Sequence, residues 1–219
     1  MIDYLGAETK NMDDELLTKL KWLIDRTEIF DLVRYERFCR DQRDWKGLID
    51  SFVPNSRVRT TWFDGPVEEF ADASRRKMTG ADASVAKHWI FPTKLQINGP
   101  RALVESPALI FDRLTFDGVE FDSFQYCRFV SRVVKTPPGW RLSSFEAIYQ
   151  RDQMQPVDLS KAQPVDWELL KTFRKSYRFF AYIQNRRGYR VDPELLGDDR
   201  PDLVAAFQTE EQHWLATGG

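Results

Sequence analysis

The sequence predicts an α+β domain in which helices pack into the concave face of a strongly bent antiparallel sheet, followed by a C-terminal helical extension. Three observations predict it. Apolar residues recur at helical spacing through most of the first 78 residues, four long extended stretches divided by turn signals fill 84–152, and helical spacing returns after 165. The expected organisation is an N-terminal arm over 1–12, a domain over 13–152 and the extension over 153–219.

After the arm, Leu16, Leu17, Leu20, Trp22, Leu23 and Ile24 predict a first helix that Asp13 or Asp14 can cap, with a short break at 25–27. The stretch TEIFDLVRYERFCRDQRDW, 27–45, organises the chain. Its Ile29, Leu32, Val33, Phe38 and Cys39 trace a core-facing stripe, while Asp31, Arg34, Tyr35, Phe38 and Asp41, three or four apart, share one side. WKGLIDSF, 45–52, makes a brief helical turn that Pro54 and Asn55 end. VRTTWF, 58–63, reads as a strand leaving through Asp64-Gly65-Pro66, and 67–78 as a third amphipathic helix with Val67, Phe70, Ala71, Ser74 and Met78 inward.

A loop over 79–82 then leads into SVAKHWIFPTKLQING, RALVESPALIFDRLTF, VEFDSFQYCRFVSRVV and GWRLSSFEAIYQRD. Asn98-Gly99-Pro100, Asp117-Gly118 and Thr136-Pro137-Pro138-Gly139 separate them, glycine supplying positive φ and proline fixing backbone where no ladder donor is needed. Strands this long must bend, and Pro92 and Pro107 mark the bulges or edges where they do so. A linker over 153–165, with Pro156 and Pro164, precedes a helix traced by Trp167, Leu170, Phe173, Tyr177 and Phe180 or Ala181 to Gly188. A last helix starts at Asp199-Arg200-Pro201 and carries Leu203, Val204, Phe207 and Trp214.

Composition excludes several classes. With 32 basic and 34 acidic residues among 219, and a net charge of −2, no global field favours nucleic acid or an anionic membrane; Lys171, Arg174, Lys175, Arg178, Arg186 and Arg187 read as a solvated helix face. Cys39 and Cys127 lie in apolar runs as buried free thiols of a reducing compartment. With His88 and His213 the only histidines, a protein-built zinc site is not expected. The N-terminus carries no basic segment followed by an apolar run, so the expected location is cytoplasmic. Aromatic residues, 14% of the chain, suit a ring-lined interior.

EIFDLVRYERFCRDQRDWKGL, a strand ending WFDGP, a lone histidine on the first long strand and GWRLSSFEAIY together resemble the SnoaL-like and scytalone dehydratase-like proteins, over about 13–152. The resemblance implies the nuclear transport factor two-like fold, a cone-shaped α+β barrel. That fold hosts dehydratases, isomerases, cyclases, dehydrohalogenases, oxygenase β subunits and non-catalytic binders.

From the lyase members, the resemblance carries a catalytic carboxylate onto Asp41, with Asp44 as rival, and the histidine it orients onto His88. Such an imidazole takes a proton while the aspartate sets its tautomer and stabilises the imidazolium. Tyr35, Arg59, Trp62, Phe91, Tyr126, Arg128 and Phe145 are the expected substrate-binding residues. On the third long strand the choice falls on the Phe124, Tyr126, Arg128 face over the Ser123, Gln125, Cys127 face. This chain departs from scytalone dehydratase-like sites in having one core histidine where they use two.

The implied function is a lyase needing no metal or organic cofactor, which removes water or formaldehyde from a small hydroxylated aromatic or polyketide-like molecule, such as a lignin-derived diaryl diol or phenylpropanoid. The alternatives are an assembly subunit like an oxygenase β subunit and a small-ligand binder. A homodimer or homotrimer is expected, with the extension packed on a neighbour.

Overall fold

The computed structural model describes residues 2–79, 86–116, 118–161 and 165–218. Most of the loop expected at 79–82, the strand start at Ser84, Asp117 and Pro164 lie outside them. A single helix, α1, runs Ile2–Gln42 in place of the expected arm, first helix and break. No proline interrupts it, so nothing stops its hydrogen-bond ladder. Asp25, at the expected break, instead ties the helix to the sheet, its Oδ1 accepting from Trp140 Nε1 at 2.8 Å and Lys135 Nζ at 2.7 Å. Ile29, Phe30, Val33 and Cys39 are buried, whereas Phe38, expected in the core stripe, is exposed.

Helix α2, Trp45–Asp50, follows at once. Asp44 caps it, Oδ1 accepting from Gly47 N at 2.9 Å, which explains the carboxylate without any catalytic role. Gly47 is required there, because a Cβ would lie 2.6 Å from Cys39 Sγ.

The strands are β1 Phe52–Arg59, β2 Asp64–Pro66, β3 Lys87–Ile90, β4 Lys94–Asn98, β5 Arg101–Phe116, β6 Val119–Thr136 and β7 Gly139–Pro156, with α3, Val67–Lys77, between β2 and β3. They form one curved sheet in the order β2-β1-β7-β6-β5-β3, with β4 also on β5. The sheet is mixed where an antiparallel one was expected, because β1 lies parallel to β7, Val58 opposite Phe145. Pro92 splits the first expected long strand into β3 and β4. On either side of it, Phe91 N donates to Pro107 O at 3.0 Å and Thr93 N to Glu105 O at 3.1 Å. Pro107, mid-strand in β5, faces that break, so the donor it lacks leaves no gap in the ladder. Register shifts at Tyr126/Cys127 and Arg132/Val133 bend β6 against β7.

The extension does not form one long helix. It comprises α4, Trp167–Lys171, a 3₁₀ turn at Lys175–Tyr177, α5, Arg178–Arg186, and α6, Pro201–Thr217. Much of its apolar side is covered by its own chain, while Trp167 stays exposed. Tyr177, Phe180 and Ala181 join the main core with Tyr149, while Leu170, Tyr182 and Ile183 pack on Leu114, Phe121 and Met154. Asp152 anchors α5 by accepting from Phe180 N at 2.6 Å. Helix α6 covers the opposite face of the sheet, where Arg132 bonds Glu211 at 2.8 Å and Val204 packs on Val130 and Ile148. Phe180→Ala is expected to destabilise the fold by about 3 kcal/mol, read from the midpoint shift in urea denaturation. Among the described residues no helix is long and apolar enough to cross a membrane.

Candidate active site

The last turn of α1 meets the edge strand β3, and the two sequence-predicted catalytic residues meet there. Asp41 Oδ1 lies 2.7 Å from His88 Nδ1, and its Oδ2 accepts from the His88 backbone N–H at 2.7 Å. Arg40 Nη1 donates to Asp41 Oδ1 at 3.3 Å and to Ala86 O at 2.8 Å, and Lys87 Nζ donates to the Asp41 carbonyl at 2.6 Å. The carboxylate is thus clamped by a side chain and a main-chain donor of the same histidine, with a buried guanidinium beside it.

Electrostatics assign the protons. Burial works to raise the Asp41 pKa, but the His88 hydrogen bond and the Arg40 charge outweigh it and hold the carboxyl below its ordinary value. Burial pushes His88 down to about 4, Asp41 opposing and Arg40 reinforcing the fall, so the imidazole is neutral near pH 7. An ionised carboxylate only accepts, so Nδ1 carries the proton and Nε2 is the remaining basic atom. The consequence for stability has a definite sign. Between pH 6.5 and about 4 the unfolded chain binds a proton at His88 that the folded chain does not, so stability falls as pH falls through that window. Urea midpoints measured across it are expected to drop in the native chain and to drop less in His88→Gln.

His88 lines two spaces. Inside the cone is a cavity of about 40 Å³, walled by rings from Trp62, Phe70, Phe129, Phe145, Tyr149 and Phe180. Polar groups reach the same space from Arg37, Arg40, Lys77 and Gln184. Outside, between α1 and β3, lies an open groove of about 590 Å³ bordered by Phe38, Trp89, Phe91 and Phe111. Arg37 is paired with Glu36 and stacks over Phe145, 4.5 Å from its centroid. Phe145 in turn lies 4.7 Å from Phe129.

Of the expected substrate-binding residues, Trp62 and Phe145 reach the cavity. Phe91 lines the outer groove instead, and Tyr35 stands half-exposed on the solvent side of α1 with Asp31 and Arg34. Arg59 is occupied elsewhere, its Nη2 bonded to Asp192 at 2.7 Å. Tyr126 and Arg128 lie on the opposite face of the sheet. Arg151 stacks over Tyr126, and Arg128 pairs with Glu105 and Asp198. The inward face of β6 is Ser123, Gln125, Cys127 and Phe129, all buried, which reverses the expected choice. The charges on Asp122, Arg128 and Arg132 belong to the alternate face, and extending the alternation to those positions identifies it.

Arg37, Arg40, Lys77, Tyr149, Phe180 and Gln184 were not anticipated at the site. Arg37 lies one helical turn before Asp41, and Lys77 continues the Phe70, Ser74 stripe, so both carried a periodicity signal. Phe180 and Gln184 had none, because nothing local says that α5 returns over the cone.

Fold and site together define a nuclear transport factor two-like cone with a buried carboxylate–imidazole pair at the wall of an aromatic cavity. The chain belongs to the SnoaL-like domain family, whose model matches residues 22–146. It is 30% identical to a PEP2-like protein of Fusarium vanettenii over 165 residues, 74% of this chain and 70% of that protein. It is 28% identical to pea pathogenicity protein 2 of the same organism, over 88% of this chain and 84% of that protein. A hexachlorocyclohexane dehydrochlorinase, LinA type 2, matches with a TM-score of 0.53 at 14% identity, over 67% of this chain and 98% of that one, a likeness of fold. Family and fold are of the kind that cofactor-independent lyases and small-ligand binders use.

Proposed function

We propose that the chain is a lyase that eliminates water or formaldehyde from a small hydroxylated aromatic compound without an added cofactor. The observation that carries this reading is the 2.7 Å contact from Asp41 to His88 Nδ1, which fixes the proton on that nitrogen and leaves Nε2 of the buried, neutral imidazole as the base at an aromatic, cation-bearing cavity. His88 Nε2 removes a proton from the substrate, and the imidazolium that forms is stabilised by Asp41. The rings of Trp62, Phe129 and Phe145 supply a stacking surface for an aromatic substrate.

A cavity of about 40 Å³ holds only a few waters, whereas benzene occupies one of about 150 Å³. Substrate entry therefore requires the ring walls to part, and the α5 roof, built from a separate segment, is the element proposed to move. The test is mass spectrometry of the purified protein incubated with hydroxylated phenylpropanoids, diaryl diols and naphthol-type polyketides. Loss of water or of formaldehyde from one compound is the expected result and identifies the leaving group. Saturable binding with no product from any compound would replace the lyase reading with that of a ligand binder.

A further inference from the structure

The first half of α1 carries an apolar face that the rest of the described chain leaves uncovered. Leu16, Leu17, Leu20, Leu23 and Ile24 each expose between 45% and 57% of their surface. At about 100° of turn per residue they share one side of the helix, and Asp25 and Ile29, which face the sheet and the core, lie roughly opposite. The face therefore points away from the domain to which the helix belongs. The same line along α1 reaches Phe38, about five turns after Leu20. Phe38, 60% exposed, borders the open groove between α1 and β3 together with Trp89 and Phe91, each 59% exposed, and Asp41 and His88 line that groove too.

Two apolar patches on one line of one helix suit a second copy of the chain. A two-fold axis through the outward side of α1, between Thr27 and Asp31, sets two helices antiparallel and lays each leucine face on the other copy's aromatic groove. The two domains then lie on far sides of the helix pair and do not meet. The patches together expose on the order of 900 Å², against the about 800 Å² that each partner buries in a stable interface. Asp31 and Arg34, on the line between the patches, pair with each other at 3.1 Å, so closure strands neither charge. A lipid surface suits the face less well, because residues 13–28 carry five acidic and three basic side chains, where a helix lying on a membrane has a polar face rich in lysine and arginine.

We propose that two copies of the chain pair through antiparallel α1 helices, and that the leucine face of each closes the groove beside the Asp41–His88 pair of the other. In this register Leu20 lies opposite Phe38 of the partner subunit, and Leu23 opposite Tyr35 of the partner subunit. The open groove of about 590 Å³ is then walled by leucine side chains from the second copy, which exclude water from the outer side of the site. The cone side is left to the substrate. The pairing holds whether the site turns a substrate over or only binds one.

Sedimentation of the full chain at micromolar concentration is expected to show a dimer. Leu20→Glu is expected to raise its dissociation constant by about 30-fold or more, the loss of a central interface residue. Leu20 is exposed in the single chain, so the variant is expected to fold, which circular dichroism checks. Hydroxyl-radical footprinting read by mass spectrometry is expected to find Trp89 and Phe91 oxidised several-fold faster in that variant than in the native chain. Cross-linking fixes the register. Chains carrying Leu20→Cys and chains carrying Phe38→Cys, mixed and oxidised, are expected to join to one another, and the native Cys39 and Cys127 are buried and do not compete. A monomer or a trimer in sedimentation overturns the proposal, as does a dimer undiminished in folded Leu20→Glu. Leu20→Cys chains that join to one another instead would place the axis at Leu20 and leave the groove open, which also overturns it.

Discussion

His88→Ala is expected to lower kcat/KM for the eliminated substrate by roughly 10²- to 10⁴-fold, the contribution of a positioned general base. The fold is expected to survive, for a reason visible in the bonding. The clamp on Asp41 comes partly from the His88 main chain, whose N–H donates to Oδ2 at 2.7 Å whatever side chain follows, and partly from Arg40. Truncation therefore removes the base while leaving its carboxylate with two donors. Steady-state rates together with near-ultraviolet circular dichroism check both halves of the expectation. A folded variant with undiminished turnover would remove His88 from the chemistry.

Asp41→Ala is expected to act on stability as strongly as on rate. The side chain is almost wholly buried, and its loss strands the Nδ1–H and main-chain N–H of His88 and leaves the Arg40 guanidinium without a carboxylate in the protein interior. Removing one partner of such a buried set destabilises by about 3–5 kcal/mol. Asp41→Asn separates the two roles. Its amide keeps one acceptor oxygen in the same volume, so most of the stability is expected to remain, but it no longer stabilises an imidazolium, and turnover is expected to fall roughly 10²-fold or more. Urea denaturation and rates on the same two variants give the comparison. Equal stabilities for the alanine and asparagine variants would show that the carboxylate site is not a buried anchor.

Much of the fold was legible because its signals are local. Pro92 and Pro107 mark the place where the first long strand divides, and Gly99, Gly118 and Gly139 have the positive φ that the turn signals require. The Asp41–His88 pairing came from the family resemblance, which placed a carboxylate near the end of the organising helix and a histidine on the first extended stretch; the 2.7 Å contact between them is a property of the folded chain. The break assigned at Asp25 shows the limit of local reading. A polar residue in an apolar run looks like a stop, but here it is a tertiary anchor for Trp140 and Lys135.

By itself, then, the sequence determined the class of the fold, the order of its elements and its turns, since helical and strand periodicity, glycine and proline act over a few residues. Tertiary structure decided which face of β6 looks inward. Alternation tells which residues share a face, but here the outer face is also covered, by α6, so Val130 and Arg132 dilute the contrast that would mark it as the outside. It likewise decided the parallel pairing of β1 with β7 and the return of α5 over the cone, contacts between segments far apart in the chain.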